Sequence, residues 1–230
     1  MVDRSRSQSG YINRVLGFGP ESLPYLAGVL QVYEDLAIGP QLDLEPDAIV
    51  PEVTDALRAR GFGPAESLSF LVGGTRPAEA PERSSVHSYP KPSELPTVER
   101  WGVDRADDFL QLLMTSGVAC DPNVWSDRRS HYCTDTFRVY VASLEGAPRA
   151  WATLFVSGRA GYVANAYTQE RWRGRGCQSA LLRARQSDAA ALGVNWVMTD
   201  VEDGSSSHRN CIRAGLSLAT VVTGWRRIAP

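Results

Sequence analysis

Arg173-Gly174-Arg175-Gly176-Cys177-Gln178-Ser179-Ala180-Leu181-Leu182 joins a strand-like run, Tyr162 to Thr168, to a helix-like run, Ala180 to Leu192. Glycine has no Cβ, so a ligand can come close to the main chain at 174 and 176. A helix N-terminus presents unpaired N–H groups that favour anions. Arginine adds fixed charge and forked donors suited to phosphate. Strand, glycine–arginine turn and helix together predict a phosphate cradle.

Working outward, Val98 to Trp101 reads as a strand and Asp104 to Thr115 as a helix with Phe109, Leu112 and Leu113 on one face and Asp104 as a candidate N-cap. A weaker helix lies near Val124 to Tyr132. Phe137, Val139 and Val141 alternate as in a half-buried strand, and Ala150 to Val156 and Tyr162 to Thr168 complete an antiparallel meander. Past the turn, Leu181, Ala184, Ala191 and Leu192 are expected to form the core stripe of a helix that Gly193 ends. Val194 to Val201, Ser207 to Ala214 and Leu218 to Arg226 follow as strand, helix and strand. Trp151 and Trp196 fall on strands and read as core.

The first third repeats this order faintly. A strand near Tyr11 to Leu16 precedes the turn Gly17-Phe18-Gly19-Pro20 and a helix carrying Leu23, Leu26, Leu30 and Tyr33. Leu42 and Leu44 mark a short strand, Val50 to Arg60 a helix, and Ser67 to Val72 a strand. Arg60-Gly61-Phe62 stands where Ala214-Gly215-Leu216 stands later, which suggests a decayed internal repeat. Its turn lacks arginine, so only the second copy carries phosphate chemistry. Thr75 to Pro96 is proline-rich, polar and poor in apolar residues, which reads as a semi-extended linker. The expected division is a frayed tail at 1–10, an N-terminal region at 11–74, the linker at 75–96 and a C-terminal domain at 97–230.

A net charge of −2 over 230 residues argues against a general nucleic-acid or membrane-surface binder. No apolar run approaches a membrane span, and Met1 to Gly10 has no apolar core of a secretory signal. Cys120, Cys133, Cys177 and Cys211 are irregularly spaced, so neither a disulfide framework nor a zinc site is implied, and the expected compartment is the cytoplasm. No metal is expected. Cys177, beside Arg173 and Arg175 at a helix N-terminus, is expected to have a lowered pKa.

The motif at 173–176 with Ser179-Ala180-Leu181-Leu182, the Arg213-Ala214-Gly215-Leu216 helix end and the order of elements between them resemble the GNAT superfamily of acyl-CoA N-acyltransferases. The likeness covers about residues 97–226, with the first third resembling a degenerate copy. It implies an α/β fold built on a mixed sheet that splays between two central strands. Acetyl-CoA would be the co-substrate, with its pyrophosphate on Arg173, Gly174, Arg175, Gly176, Cys177, Gln178 and Ser179. Its thioester would lie along the strand ending at Ala166, Tyr167 and Thr168. Gln178 departs from the small residue that ends the family motif. Asn210 would hydrogen-bond the pantetheine arm, or alternatively satisfy local backbone.

Amine attack on a thioester calls for a base, oxyanion donors and an acid for the departing thiolate. A backbone N–H near Ala166 or Tyr167 is the oxyanion candidate. Asp200, Glu202 and Asp203, at the end of a central strand where α/β sites open, are the base candidates; a solvated turn is the other reading of them. Many relatives place a tyrosine four residues before the final glycine of the last helix, and that position here is Cys211. Its thiol either donates the proton or is a small packed residue. Tyr167 is the second acid candidate, and His208 is either a base or an exposed helix residue. The expected acceptor is a small-molecule or peptide amine, with the chain a monomer or homodimer. A non-catalytic acyl-CoA sensor is the alternative function.

Overall fold

A computed structural model describes residues 13–75, 95–118 and 121–228. The expected tail at 1–10 and most of the expected linker lie outside them, as does Cys120. Nine strands and six α-helices are present among the described residues. In chain order they are β1 (Arg14–Val15), α1 (Leu26–Asp35), β2 (Gln41–Leu44), α2 (Pro51–Arg58), β3 (Phe62–Gly74), β4 (Thr97–Trp101), α3 (Ala106–Met114), α4 (Pro122–Arg128), β5 (Phe137–Leu144), β6 (Ala147–Ser157), β7 (Ala160–Thr168), α5 (Cys177–Ala191), β8 (Trp196–Glu202), α6 (Ser206–Arg213) and β9 (Ser217–Arg227). The strands hydrogen-bond in the order β1-β2-β9-β3-β8-β7-β6-β5-β4.

The chain divides into two compact units whose boundaries are not linear. Among the described residues one unit holds 13–70, 201–205 and 218–228, and the other holds the rest. The first unit is built on β1, α1, β2, α2, most of β3, and β9. Phe18, Leu26, Leu30, Leu42, Leu44, Val53, Leu57, Phe62 and Trp225 form its core. β9, last in the chain, lies antiparallel to β2 with Leu42 opposite Trp225.

The second unit holds the meander β4-β5-β6-β7, antiparallel throughout. Glu145 and Gly146 both have positive φ, 54° and 74°, which suits the tight two-residue turn between β5 and β6. Strand β5 is buried on both faces rather than half-buried as its alternation predicts. Val139 and Val141 pack with Trp151 against Ala106, Phe109 and Leu112 of α3. The Phe109 and Trp151 rings meet edge to face at 5.5 Å, a geometry that adds ~0.5–1.5 kcal/mol beyond burial alone. From the opposite face Arg138 reaches Asp188 of α5 at 2.7 Å, and the Tyr140 hydroxyl donates to the same carboxylate.

The core face of α5 differs from the predicted stripe. Cys177, Ala180, Leu181, Leu182, Arg185, Gln186 and Ala189 are buried, whereas Ala191 and Leu192 are exposed. Two polar residues hold core positions, and each meets backbone acceptors there: Arg185 as described below, Gln186 through the carbonyl of Ala214 at 3.1 Å. Asp104 does not cap α3; it sits in a 3₁₀ turn, Val103–Arg105, that leads into the helix. Trp196, expected as core, is 38 % exposed on β8.

Candidate functional site

Strands β7 and β8 run parallel and pair through Ala160–Trp196, Gly161–Val197 and Tyr162–Met198, and no further. β7 continues to Thr168 and β8 to Glu202 without joining again. The sheet therefore splays beyond Tyr162. At the last joined pair the Tyr162 hydroxyl donates to the Asp200 carboxylate. The first unit repeats this arrangement. Among the described residues β1 and β2 pair in parallel through Arg14–Gln41 and Val15–Leu42, and Arg14 reaches Asp43 at 2.8 Å. Asp43 lies two residues past Gln41, the register partner of Arg14, as Asp200 lies two past Met198, the register partner of Tyr162, so each aspartate fastens a short parallel pair near its end.

Strand β7 is irregular on its other edge. Between the Trp151–Tyr167 and Thr153–Ala164 pairs, Ala152 faces both Asn165 and Ala166. This extra residue makes a bulge, which takes main-chain groups out of the ladder. Asn165 carries it with φ of 48°, a left-handed value that asparagine tolerates better than most residues. Asn165 and Ala166 are exposed. The oxyanion candidate proposed near Ala166 thus lies on a bulge.

After β7 a 3₁₀ turn, Glu170–Trp172, leads into the glycine turn. Trp172 is buried, with the guanidinium groups of Arg149 at 4.2 Å and Arg175 at 4.7 Å from its ring centre. Gly174 and Gly176 have φ of 77° and 81°, and a Cβ built on either meets nothing within 4 Å. Gly176 is the N-cap of α5, whose first turn has no acidic residue. Residues 173–176 are all exposed. Open space over two glycines at a helix N-terminus fits a diphosphate bound by main-chain amides, in space that side chains at 174 and 176 would fill. Among the described residues the Arg173 side chain is tied only to the Thr168 carbonyl at 3.3 Å and, at 3.9 Å, to Glu170. Arg175 instead pairs with Glu145 at 3.0 Å.

Cys177 follows at the first position of α5, but its side chain is buried, and burial pushes its thiol pKa up despite Arg175. The expected lowered pKa is therefore corrected: desolvation outweighs the charge and the helix end. Cys177 can offer a ligand its main-chain N–H. Gln178 turns its side chain toward α6, donating to Ser207 at 2.5 Å and accepting from Asn210. Asn210 also accepts from Arg213, so both ends of its amide are engaged.

The acid and base candidates fall in different settings. Asp203 accepts from Ser69 at 2.5 Å and donates its N–H to Ser67, bonds that lace it to β3. Glu202 is exposed, and its carboxylate has no partner among the described residues. Tyr167 donates its hydroxyl to the Thr115 carbonyl at 2.9 Å, at the end of α3. Cys211 is buried, and burial pushes its pKa up. His208 is half-buried on α6. Among the described residues no cluster of potential metal ligands occurs.

Sequence reasoning missed Arg185. It is 1 % exposed, on the core face of α5, and donates to the carbonyls of Leu181 at 3.1 Å, Thr153 at 3.0 Å and Ala164 at 3.2 Å. Its neighbours in sequence carry no signal of this, because Ala184 in the same turn supplies the apolar residue that periodicity asks for.

No family model matches the sequence, and no curated protein matches it. Solved structures do match. A functionally unknown conserved protein from Staphylococcus epidermidis aligns with TM-score 0.68 at 11 % identity, over 99 % of this chain and 90 % of that one. A GCN5-related N-acetyltransferase from Sphaerobacter thermophilus gives 0.67 at 16 %, over 95 % and 74 %. A tandem GNAT protein from the clavulanic acid biosynthesis pathway gives 0.56 at 12 %, over 90 % and 70 %. The chain has the GNAT fold, with the splayed central strands expected of it and a smaller degenerate copy before the full one.

Proposed function

We propose that this chain is an acyl-CoA-dependent N-acyltransferase that moves an acyl group, most simply acetyl from acetyl-CoA, to an amine. The observation that carries this reading is the pair of left-handed glycines with open space over the N-terminus of α5, beside strands that part after Tyr162. In this reading the amides at 174–179 and the Arg173 guanidinium hold the diphosphate, and the bulge amides at 165–167 face the thioester carbonyl. The amine forms a bond to the carbonyl carbon, the carbon–sulfur bond breaks, and the thiolate takes up a proton. Hydrogen bonds engage the carboxylates of Asp200 and Asp203, whereas that of exposed Glu202 has no partner among the described residues, which favours Glu202 as the base. The division of the sequence into an N-terminal copy and an acyltransferase copy at 97–230 belongs to the same proposal as a matter of descent, the folded units being interleaved, and so does a cytoplasmic setting, which the unpaired Cys133, Cys177 and Cys211 support.

A non-catalytic acyl-CoA sensor is the second reading, favoured by the burial of Cys211 and by the commitment of the Tyr167 hydroxyl to Thr115. Calorimetry and thiol release separate the two. The wild-type chain is expected to bind coenzyme A, and Arg173→Glu to weaken it by about ten-fold or more, the scale of a lost charge-assisted hydrogen bond plus a like charge. Gly176→Val is expected to do worse, since it adds a branched side chain at φ 81°. Unchanged affinity in both variants would sink the cradle assignment. Binding with no thiol released across a broad amine panel would favour the sensor.

A further inference from the structure

Arg185 is a buried cation on a helix face where leucine would pack. Among the described residues it makes no ion pair, and a buried charge without a counter-ion costs several kcal/mol unless its donors are well used. Its acceptors are main-chain carbonyls, and two of them, Thr153 and Ala164, face each other across the edge of the β7 bulge. A bulge breaks the ladder, so carbonyls beside it need another donor. Leu181, in the preceding turn of α5, anchors the guanidinium to the helix. Burial pushes the Arg185 pKa down to about 10, which leaves it charged at neutral pH.

The geometry has a direct consequence for the exposed side of the bulge. A trans peptide is planar, with its carbonyl and N–H pointing in opposite directions. Holding the Ala164 carbonyl against α5 therefore sends the Asn165 N–H away from α5. Thr153 holds the same segment: its hydroxyl donates to the Ala164 carbonyl at 3.2 Å and accepts from the side-chain amide of Asn165 at 3.4 Å. The left-handed turn at Asn165 then sets the direction of the Ala166 N–H. Flexible amides would lose most of their value as oxyanion donors, because such donors act by being oriented before charge develops.

We infer that Arg185 is a positioning residue: it fixes the 164–166 main chain so that the bulge amides read the carbonyl of an acyl thioester. The inference rests on the acyl-CoA reading above and adds to it a residue that touches neither substrate. Its signature is a preference for acetyl-CoA over coenzyme A itself, because only the former has a thioester carbonyl for the bulge to bind.

The test is calorimetry of acetyl-CoA and coenzyme A against wild type, Arg185→Met and Arg185→Lys, with thermal melts to show that each variant is folded. Wild type should prefer acetyl-CoA by about two- to ten-fold, the worth of one hydrogen bond. Arg185→Met should bind coenzyme A as wild type does and lose the preference. Arg185→Lys, which keeps the charge but not the fork, should recover part of it. If Arg185→Met does not fold, the lysine variant carries the test by a partial loss of the preference. Equal preference in wild type and a folded variant would overturn the positioning role, and so would a wild type that binds both molecules equally. A wild type that binds neither would instead remove the acyl-CoA reading itself.

Discussion

Desolvation decides the chemistry of single residues in this chain. Cys177 has a helix N-terminus and an arginine in its favour, and burial still raises its pKa. At Cys133 the effect is larger: burial, with a smaller contribution from Asp104, lifts the thiol from its ordinary 9.0 to about 11. The unfolded chain ionises near the ordinary value while the native thiol keeps its proton. Stability from this group is therefore complete below pH 9 and is lost as pH rises through about 11. Two pKa units correspond to ~2–3 kcal/mol. Urea unfolding at half-unit steps from pH 8 to 11 should show a falling stability, and Cys133→Ala should fall less steeply across that window. Parallel curves for the two proteins would show that the thiol does not remain neutral in the folded state.

At the scale of elements, Gln178 shows what one residue at a helix end can do. Its amide bridges the first turn of α5 to Ser207 and Asn210 on α6. Replacing it with alanine removes two hydrogen bonds between half-buried partners, which is worth ~1–2 kcal/mol. Thermal melting should show Gln178→Ala to be less stable, with Ser207→Ala losing about half as much; a Gln178→Ala melt that overlays wild type would show the bridge to be energetically idle. The elements were largely legible beforehand because their signals are local. Glycine at 193, 215 and 61 ends helices with φ of 74°, 88° and 78°, and alternating apolar residues marked β5. The face of α5 was not legible. Periodicity assigns an arginine to solvent, and nothing local records that a bulge on β7 and β6 supplies carbonyls to hold one. The cradle was readable for the opposite reason: glycine, arginine and helix start are adjacent in sequence. The commitments of Asp200, Asp203 and Tyr167 arise from partners far along the chain and had no sequence signal.

At the scale of the whole molecule, the two copies share the order strand, helix, strand, helix, strand: β1-α1-β2-α2-β3 and β7-α5-β8-α6-β9. Each begins with a short parallel pair fastened by an aspartate, and each second helix ends at a left-handed glycine followed by a buried apolar residue, Phe62 or Leu216. The last strand of each copy works for the other. β9 pairs with β2 in the first unit, while the end of β3, from Leu71, belongs to the second. There Thr75 donates to Asn195 at 3.4 Å, and a Cβ on Gly73 would lie 3.0 Å from the Gly215 carbonyl, so the strand approaches the α6 end as closely as glycine allows. A linear cut at the proline-rich segment therefore separates partners. A fragment of residues 97–230 leaves Trp225 without Leu42 and removes the 71–75 segment from the second unit. Exposing such apolar surface costs ~25 cal/mol per Å², and one large side chain accounts for ~1.5–3 kcal/mol of a total stability of only ~5–15 kcal/mol. The isolated fragment is expected to melt without cooperativity and to show poor amide dispersion, and adding a 1–75 fragment in trans should restore both. A fragment that folds cooperatively alone would mean that the second copy closes without the borrowed strand, and that the exchange adds only stability.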